Sequence, residues 1–278
     1  MRFMPSTHPS EASFANVAAS AFAAARLGAA QALAAWPVLI GRVMFYLLIL
    51  VVLAALWDKV AAEQVTPLAG MLPNGGLAVY IGVTEWVTLS VIAIERRLED
   101  DIRNGGLEPY LLRPQSYLLQ RIAPAMGETM VRLVVLGTAG LAAVAISGRP
   151  LPTVGAFLAL IVLGSLGCVV GTLLYVLVGL AAFWMRRVLP AMLIVQKLSF
   201  LLGGLVAPIS LYPDWLFSIA RATPFGAHLY WVAVQTMAPS ARLFWIGIGW
   251  QILWSMVLGA LCTAVWRAGL RKALRQGL

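Results

Sequence analysis

The chain has 278 residues, of which 61% are hydrophobic and only 11% are charged, and its mean hydropathy is +0.88. A soluble domain carries roughly 25% charged residues, so a chain this apolar could not keep its surface hydrated in water. The composition therefore excludes an ordinary soluble domain and favours the bilayer as solvent. At about 20 residues per span plus connections, the length suits about six spans in one membrane domain.

The net charge of +9 does not indicate a nucleic-acid partner. The basic residues sit in short segments at span ends, as cytoplasmic flanks do, and attraction to anionic lipid headgroups is the alternative reading of the charge. Cys168 and Cys262 lie in apolar runs, which predicts packing roles rather than a disulfide framework. His8 and His228 are too few and too far apart for a histidine metal site.

The first 36 residues form a separate unit before the first span. Residues 1–16 are polar and predict a disordered tail, whereas residues 17–35 are rich in alanine and too weakly apolar to span. We expect this run to form a helix along the inner membrane face. A targeting peptide is the alternative, although the run lacks a compact leucine-rich core beside a charged start.

Six hydrophobic runs predict the spans of a transmembrane domain over residues 37–266, at 37–57, 75–94, 122–146, 154–184, 188–210 and 243–266. A proline-containing outer loop to residue 74 follows the first span, and a tight turn at 147–150 follows the third. A semi-apolar stretch at 211–241, with three prolines, separates the last two spans. Residues 267–278 form a basic tail.

The distribution of basic residues predicts the orientation. If the N-terminus is cytoplasmic, the outer side holds four of the 20 Lys and Arg residues, and two more lie within spans, which leaves 14 inside. Both termini are therefore expected in the cytoplasm. The outer four are Lys59, Arg149, Arg221 and Arg242, and the two within spans are Arg132 and Lys197.

The loop between the second and third spans, residues 95–121, is the most charged in the chain. Gly105-Gly106 predicts a helix stop, so the second helix should extend that far into the cytoplasm. Residues 107–112 can then form one or two turns that end near Arg113-Pro114, because the residue before proline avoids helix. One interpretation is a solvated loop without a binding role. Large apolar side chains in so charged a loop favour docking into a groove on another protein.

Residues 101–114 read D-I-R-x-G-x-L-x-x-Y-L-L-R-P. This string resembles the inner loop of type-2 ATP-binding-cassette (ABC) permeases, most closely the bacterial branch in which two permease subunits accompany one ATPase. The six-span layout is similar too, as are Pro213–Leu216, Thr223–Phe225 and the basic segment from Trp266. The resemblance covers roughly residues 37–275.

The resemblance implies an all-α integral membrane fold with an N-terminal interfacial helix and short re-entrant helices over 211–241. The loop would be a coupling helix docking on a cytosolic ATPase that binds ATP and Mg, with no cofactor in this chain. A second permease subunit, a copy or a relative, would complete a dimer in the inner membrane. The coupling residues would be Asp101, Arg103, Leu107, Tyr110, Leu111 and Arg113.

Four ionisable residues fall inside predicted spans: Glu85, Glu128, Arg132 and Lys197. Each costs about 2.5–3.5 kcal/mol in hydrocarbon and must therefore face protein or water. Glu128 and Arg132 are a favourable i,i+4 pair, and Glu128 and Lys197 fall at similar predicted depths. A structural ion pair is one reading, and the polar lining of a substrate pathway or gate is the other.

Most tryptophans mark span ends as belt anchors, but Trp86 and Tyr175 lie within spans. An aromatic lining there could hold a cationic amphipathic molecule. Gly167 and Gly171 form a small-xxx-small face that predicts close helix packing, within the subunit or at a dimer seam.

The sequence contains no G-x-x-x-x-G-K-[ST], H-E-x-x-H or G-x-S-x-G motif. The resemblance then implies a multidrug-type export permease without its own ATPase site. The aromatic residues and the acids within spans favour a hydrophobic or amphipathic substrate such as a drug or organic cation. A membrane-embedded enzyme or lipid-modifying protein and a secondary transporter are the alternatives.

Overall fold

The structure, a computed structural model, describes residues 14–62, 76–113, 115–148, 151–205 and 207–275, and over these it is helical with no strand. The predicted tail up to residue 13, the outer loop from 63 and the end of the turn at 147–150 lie outside these ranges. The α-helices are α1 (Phe14–Ala34), α2 (Trp36–Ala62), α3 (Gly76–Ser90), α4 (Ile94–Arg103), α5 (Glu108–Leu111), α6 (Tyr117–Ile146), α7 (Val154–Leu180), α8 (Leu189–Leu202), α9 (Asp214–Ala222), α10 (Trp231–Met237) and α11 (Ala241–Arg275).

Within the described ranges, six helical stretches are long and apolar enough to cross a membrane. The predicted number of six spans and the all-α class are confirmed, but the helices that qualify as spans are not all the ones we predicted. The stretch 16–34 qualifies, although we predicted an interfacial helix there, and α8 does not. At 14 residues, α8 reaches only about 21 Å against a hydrocarbon core of about 30 Å. The six are 16–34, 36–56, 78–103, 117–146, 154–183 and 241–275.

The helix α1 packs along α6, in the most extensive contact between any two elements. Gly28 faces the backbone of Pro124, and Gly127 faces the backbone of Ala25, so neither glycine has room for a side chain. Backbones that approach this closely are the usual result of small residues at membrane helix interfaces. The alanine-rich composition that made α1 look weakly apolar is what allows this packing.

We predicted that the second span is one helix that continues into the loop, but the structure breaks it into α3 and α4. It ends at Ser90 and resumes at Ile94, because Ala93 adopts φ −77° and ψ 63° and the Ile94 N–H bonds to the Ile92 carbonyl. This geometry is an inverse γ-turn. After the turn, α4 packs on α7 where Gly179 lets Leu98 approach.

Two helices extend beyond the predicted spans. The helix of the third span already begins at Tyr117, before the predicted start of the span at 122, because the Ser116 hydroxyl caps α6 by accepting from the Leu119 N–H at 3.3 Å. The residues predicted as a basic tail after 266 continue α11 as regular helix to Arg275.

The segment after α8 forms the predicted short helices. Gly204, at φ 75°, ends the α8 turn, and α9, a π-helical turn at Gly226–Tyr230 and α10 follow. The π-helical turn inserts against α7, where His228 Nδ1 lies 2.8 Å from the Gly167 carbonyl and the imidazole packs on Gly171. The small-residue face therefore packs within the subunit, against this re-entrant segment.

Eleven of the 20 Lys and Arg residues gather at one end of the bundle, which we call the charged end: α4, the loop that contains α5, the first turns of α6, residues 184–188 and the last turns of α11. The elements there hold one another, since the Tyr117 ring stacks on Trp266 at 4.4 Å and Lys272 Nζ donates to the Phe183 carbonyl at 2.9 Å. This gathering agrees with the charge asymmetry of the sequence. Which side of the membrane the charged end faces stays a prediction.

Candidate functional site

The loop between α4 and α6 is fastened from inside by one carboxylate. Asp101, on α4, accepts from the Tyr117 hydroxyl at 2.5 Å and from Arg121 Nε at 2.6 Å, and a second nitrogen of Arg121 reaches its other oxygen. Bidentate pairing fixes the guanidinium in the plane of the carboxylate. We therefore expect the loop to move together with the first turns of α6 and not independently of them.

The short helix α5 is held against the same residues. The Arg121 guanidinium carbon lies 4.2 Å from the centre of the Tyr110 ring, whose edge meets Tyr117 at 5.8 Å. The Gln120 side chain donates to the Tyr110 carbonyl at 3.2 Å. Leu107 is fully buried in the core formed by α4, α6 and α7.

The sequence-predicted coupling residues therefore divide into two groups. Asp101, Leu107 and Tyr110 face inward and hold the loop. We expected Leu107 to be a docking contact, but its side chain is fully buried. Arg103, Leu111 and Arg113 point to the exterior. Leu112, which the predicted site left out, is 88% exposed, against 40% for Leu111. In the sequence, Leu112 is the fourth large apolar residue of this loop. A helix as short as α5 has too few residues for their spacing to show which of the four side chains is exposed.

Two of the four charges predicted within spans, Glu128 and Arg132, form a cluster with Arg97 of α4. Glu128 Oε1 lies 2.5 Å from Arg132 and Oε2 lies 2.7 Å from Arg97 of α4. Arg42 of α2 donates to the Leu89 carbonyl at 2.9 Å and lies within Coulombic range of Glu128. The i,i+4 pair is confirmed, and the cluster joins α2, α3, α4 and α6.

The other two predicted charges stand apart from the cluster. Lys197 is exposed on α8, with its ammonium 5.2 Å from the Phe200 ring, so a similar predicted depth did not bring it to Glu128. Glu85 is half-buried on α3 and takes part in no ion pair among the described residues. It is the one of the four predicted charges that lies inward without a compensating cation in the part of the chain that the structure describes.

A family model described as "ABC-2 family transporter protein" matches residues 75–277, which is well over half of the chain and contains every element from α3 to α11. The chain belongs to the ABC-2 transporter family. The match begins after α2, so the first two helices lie outside it. No curated protein and no solved structure matches the chain.

Membership identifies this ABC-2 family protein as a multi-pass transport subunit rather than a catalytic chain. Trp86, which we predicted to line a substrate pathway, packs between helices instead. This indole is buried, donates to the Leu133 carbonyl at 2.6 Å and packs on Gly137 and Gly164. Trp86 therefore wedges α3 against α6 and α7 and is not free to contact a substrate.

Tyr175 of this ABC-2 family protein is half-buried on α7. It packs against both of the larger apolar clusters, the one around Leu98 and Leu107 and the one around Trp86. A substrate contact at Tyr175 stays a prediction.

Proposed function

We propose that this protein is the permease subunit of an ATP-driven ABC exporter in the inner membrane, with both termini cytoplasmic. A cytosolic ATPase that binds ATP and Mg docks on the tip of the α4–α6 loop. The observation that carries the proposal is the two-sided loop: its inner face is tied to α6 by Asp101, while Leu111, Leu112 and Arg113 stand exposed on its outer face.

A docked ATPase can transmit movement through this loop because the loop is stiff. A displacement of α5 passes through Tyr110 and Arg121 to α6, and through the stacked rings of Tyr117 and Trp266 to α11. The two nucleotide states of the ATPase must bind different conformations of the permease unequally, or no movement results. The loop provides the contact through which that difference acts.

The substrate we propose is hydrophobic or amphipathic, with organic cations and drugs as the first class to test. Glu85 supports a cationic substrate, because it has no ion-pair partner in the part of the chain that the structure describes, and such a carboxylate within a span favours a positively charged ligand. A second permease subunit, a copy or a relative, would complete the pathway. The outward face of α2 offers an apolar surface for that subunit or for lipid, including Met44, Leu48 and Val51.

Copurification and coupled ATPase activity test the proposal. The tagged permease should retain a cassette ATPase in detergent, and Leu112→Asp should release it while the permease itself remains folded. Leu274→Asp is the matched control, because Leu274 is an exposed leucine, 60% accessible, at the same charged end but on α11. Retention by the control and loss by the loop variant is the expected result.

Two results would contradict the proposal. One is equal retention of the ATPase by the wild type and the Leu112→Asp variant. The other is transport by reconstituted permease alone, driven by an ion gradient without nucleotide, which would instead favour a secondary transporter.

A further inference from the structure

A groove with wholly apolar walls opens between the end of α7 and α11. It has a volume of about 540 Å³. Such a groove on the flank of a membrane bundle faces the acyl chains of the bilayer, and a chain can enter it without leaving an apolar environment. Its lining residues are Leu177, Ala181, Trp184, Ala264, Val265 and Ala268.

A second cavity, of about 420 Å³, continues from the first along α11. Ala268 lines both, and the remaining walls of the second are Arg271, Lys272 and Arg275. From Ala264 to Arg275 the helix advances about 16 Å, at 1.5 Å per residue. Over that distance the surface changes from apolar to strongly basic, in the same order as the acyl chain and the headgroup of a phospholipid.

The junction between the two parts is built by close packing at Gly269. The Phe183 ring lies where a side chain on Gly269 would be, which draws the end of α7 onto α11. Lys272 reaches across, donating to the Phe183 carbonyl at 2.9 Å with its ammonium 5.8 Å from the centre of the Trp184 ring. This leaves the other ammonium N–H groups available at the mouth of the groove.

The mouth carries excess positive charge. Arg271 and Arg275 are exposed, and none of the ion pairs among the described residues includes either arginine or Lys272. The nearby Arg186 and Arg187 are exposed and add to the same sign. Across from them, Glu99 already accepts the Val188 N–H at 3.1 Å. Three cations on one helix end repel one another unless an anion lies among them.

We propose that this groove is a binding site for an anionic phospholipid of the leaflet that borders the charged end. An acyl chain occupies the apolar part, the glycerol region lies against Trp184, and the phosphate and anionic headgroup meet Arg271, Lys272 and Arg275. Basic pockets between membrane helices have the chemistry to bind such headgroups. The site goes beyond the proposed transport function and does not depend on the docked ATPase.

A second copy of the chain fits the groove less well. A symmetric contact would place the same surface against itself, and the basic ends of two α11 helices would then repel. A free phosphate would meet the charges but leave the apolar groove unused. The combined apolar and basic character therefore favours a lipid.

Native mass spectrometry of the detergent-purified full chain tests the site, with phosphatidylglycerol and phosphatidylcholine of identical acyl chains as probes. We expect phosphatidylglycerol to be retained preferentially. Changing Arg271, Lys272 and Arg275 together to Gln should weaken its binding by roughly tenfold or more, because each basic residue near a lipid surface contributes about fivefold in affinity. Removing three exposed charges elsewhere at the charged end, by Arg96→Gln, Arg103→Gln and Arg113→Gln, should leave the preference intact.

A second variant separates the groove from general charge attraction. Ala264→Trp adds no charge and fills the apolar part, so it should weaken binding of both lipids, whereas the Gln variant removes only the preference. Inorganic phosphate at millimolar concentration should not displace the lipid. Equal binding of the two lipids by wild type, an unchanged preference in the Gln variant, or full displacement by phosphate would each overturn the proposal. So would efficient disulfide crosslinking of two Ala264→Cys chains.

Discussion

Arg121 and Asp101 form the bidentate ion pair that ties the first turns of α6 to α4 across the charged loop. Tyr117 donates to the same carboxylate, so one acid holds two side chains of α6. Together with the hydrogen bond from Arg97 to Glu128, this pair lets α4 transmit a displacement to α6 through side chains. Its contribution can be measured separately from that of the exposed tip.

Breaking this pair should loosen the loop. Arg121→Ala leaves the Asp101 carboxylate, whose side chain is 10% exposed, without its bidentate partner. We expect a loss of about 1–3 kcal/mol in the free energy of unfolding, since the site is partly open to solvent. Thermal unfolding in detergent measures this loss. The double change Asp101→Asn with Arg121→Gln removes both charges and should recover part of it; no recovery would show that the pairing of charges is not what matters.

Two leucines of the same loop should give opposite results. Leu107→Asp places a charge in a fully buried site, so it should lower the melting temperature and the yield of folded protein. Leu112→Asp changes a side chain that is 88% exposed and should leave the melting temperature unchanged while abolishing ATPase retention. Comparing thermal stability with copurification in both variants checks this separation. If both variants lost stability together, the exposed tip would be part of the folded core.

The Glu128 cluster should act through charge balance. Glu128→Gln leaves Arg132, only 11% exposed, without its anion, and Glu128→Ala also leaves a cavity, so we expect the Ala variant to yield less folded protein. Adding Arg132→Met to Glu128→Gln should restore the yield. The matched control is Lys197→Met, which removes an exposed cation outside the cluster and should leave the yield unchanged. Equal yields of the Ala and Gln variants, with equal loss of transport, would favour a direct role in the pathway.

Close packing of α1 on α6 should be sensitive to side-chain size. Gly28→Leu and Gly127→Leu each place a side chain against backbone and should lower the melting temperature markedly, because a backbone cannot move aside as a side chain can. Gly41→Leu on α2 is the control, since no atom outside the adjoining residues and backbone of its own helix lies within 4 Å of the position where its Cβ would be. A similar effect at all three positions would point to a general intolerance of leucine at these glycines.

The orientation can be tested with single new cysteines, because Cys168 and Cys262 are both buried. Arg113→Cys and Leu274→Cys, at the charged end, should react with a membrane-impermeant thiol reagent only in inside-out vesicles. Arg242→Cys, at the start of α11, should react from outside intact cells. Labelling of all three from the same side would contradict the predicted topology.

The sequence by itself was enough for the fold class and for most of the spans, because hydrophobicity is a local property that can be read residue by residue. It also located the turn at α5, since Gly105 at φ 73° is a position that glycine adopts without strain. The π-helical turn and α10 likewise fall within the predicted semi-apolar stretch.

Tertiary structure decided the features that depend on which residues become neighbours. Asp101 looked like a docking residue until Arg121 and Tyr117, 20 and 16 positions away, were seen to use both of its oxygens. The role of α1 depended on Gly127 and Pro124 of a helix about 100 residues later, and the break at Ala93 carries no proline to mark it in the sequence. Burial and pairing arise between distant segments, so hydrophobic pattern alone could not show which loop residues face inward.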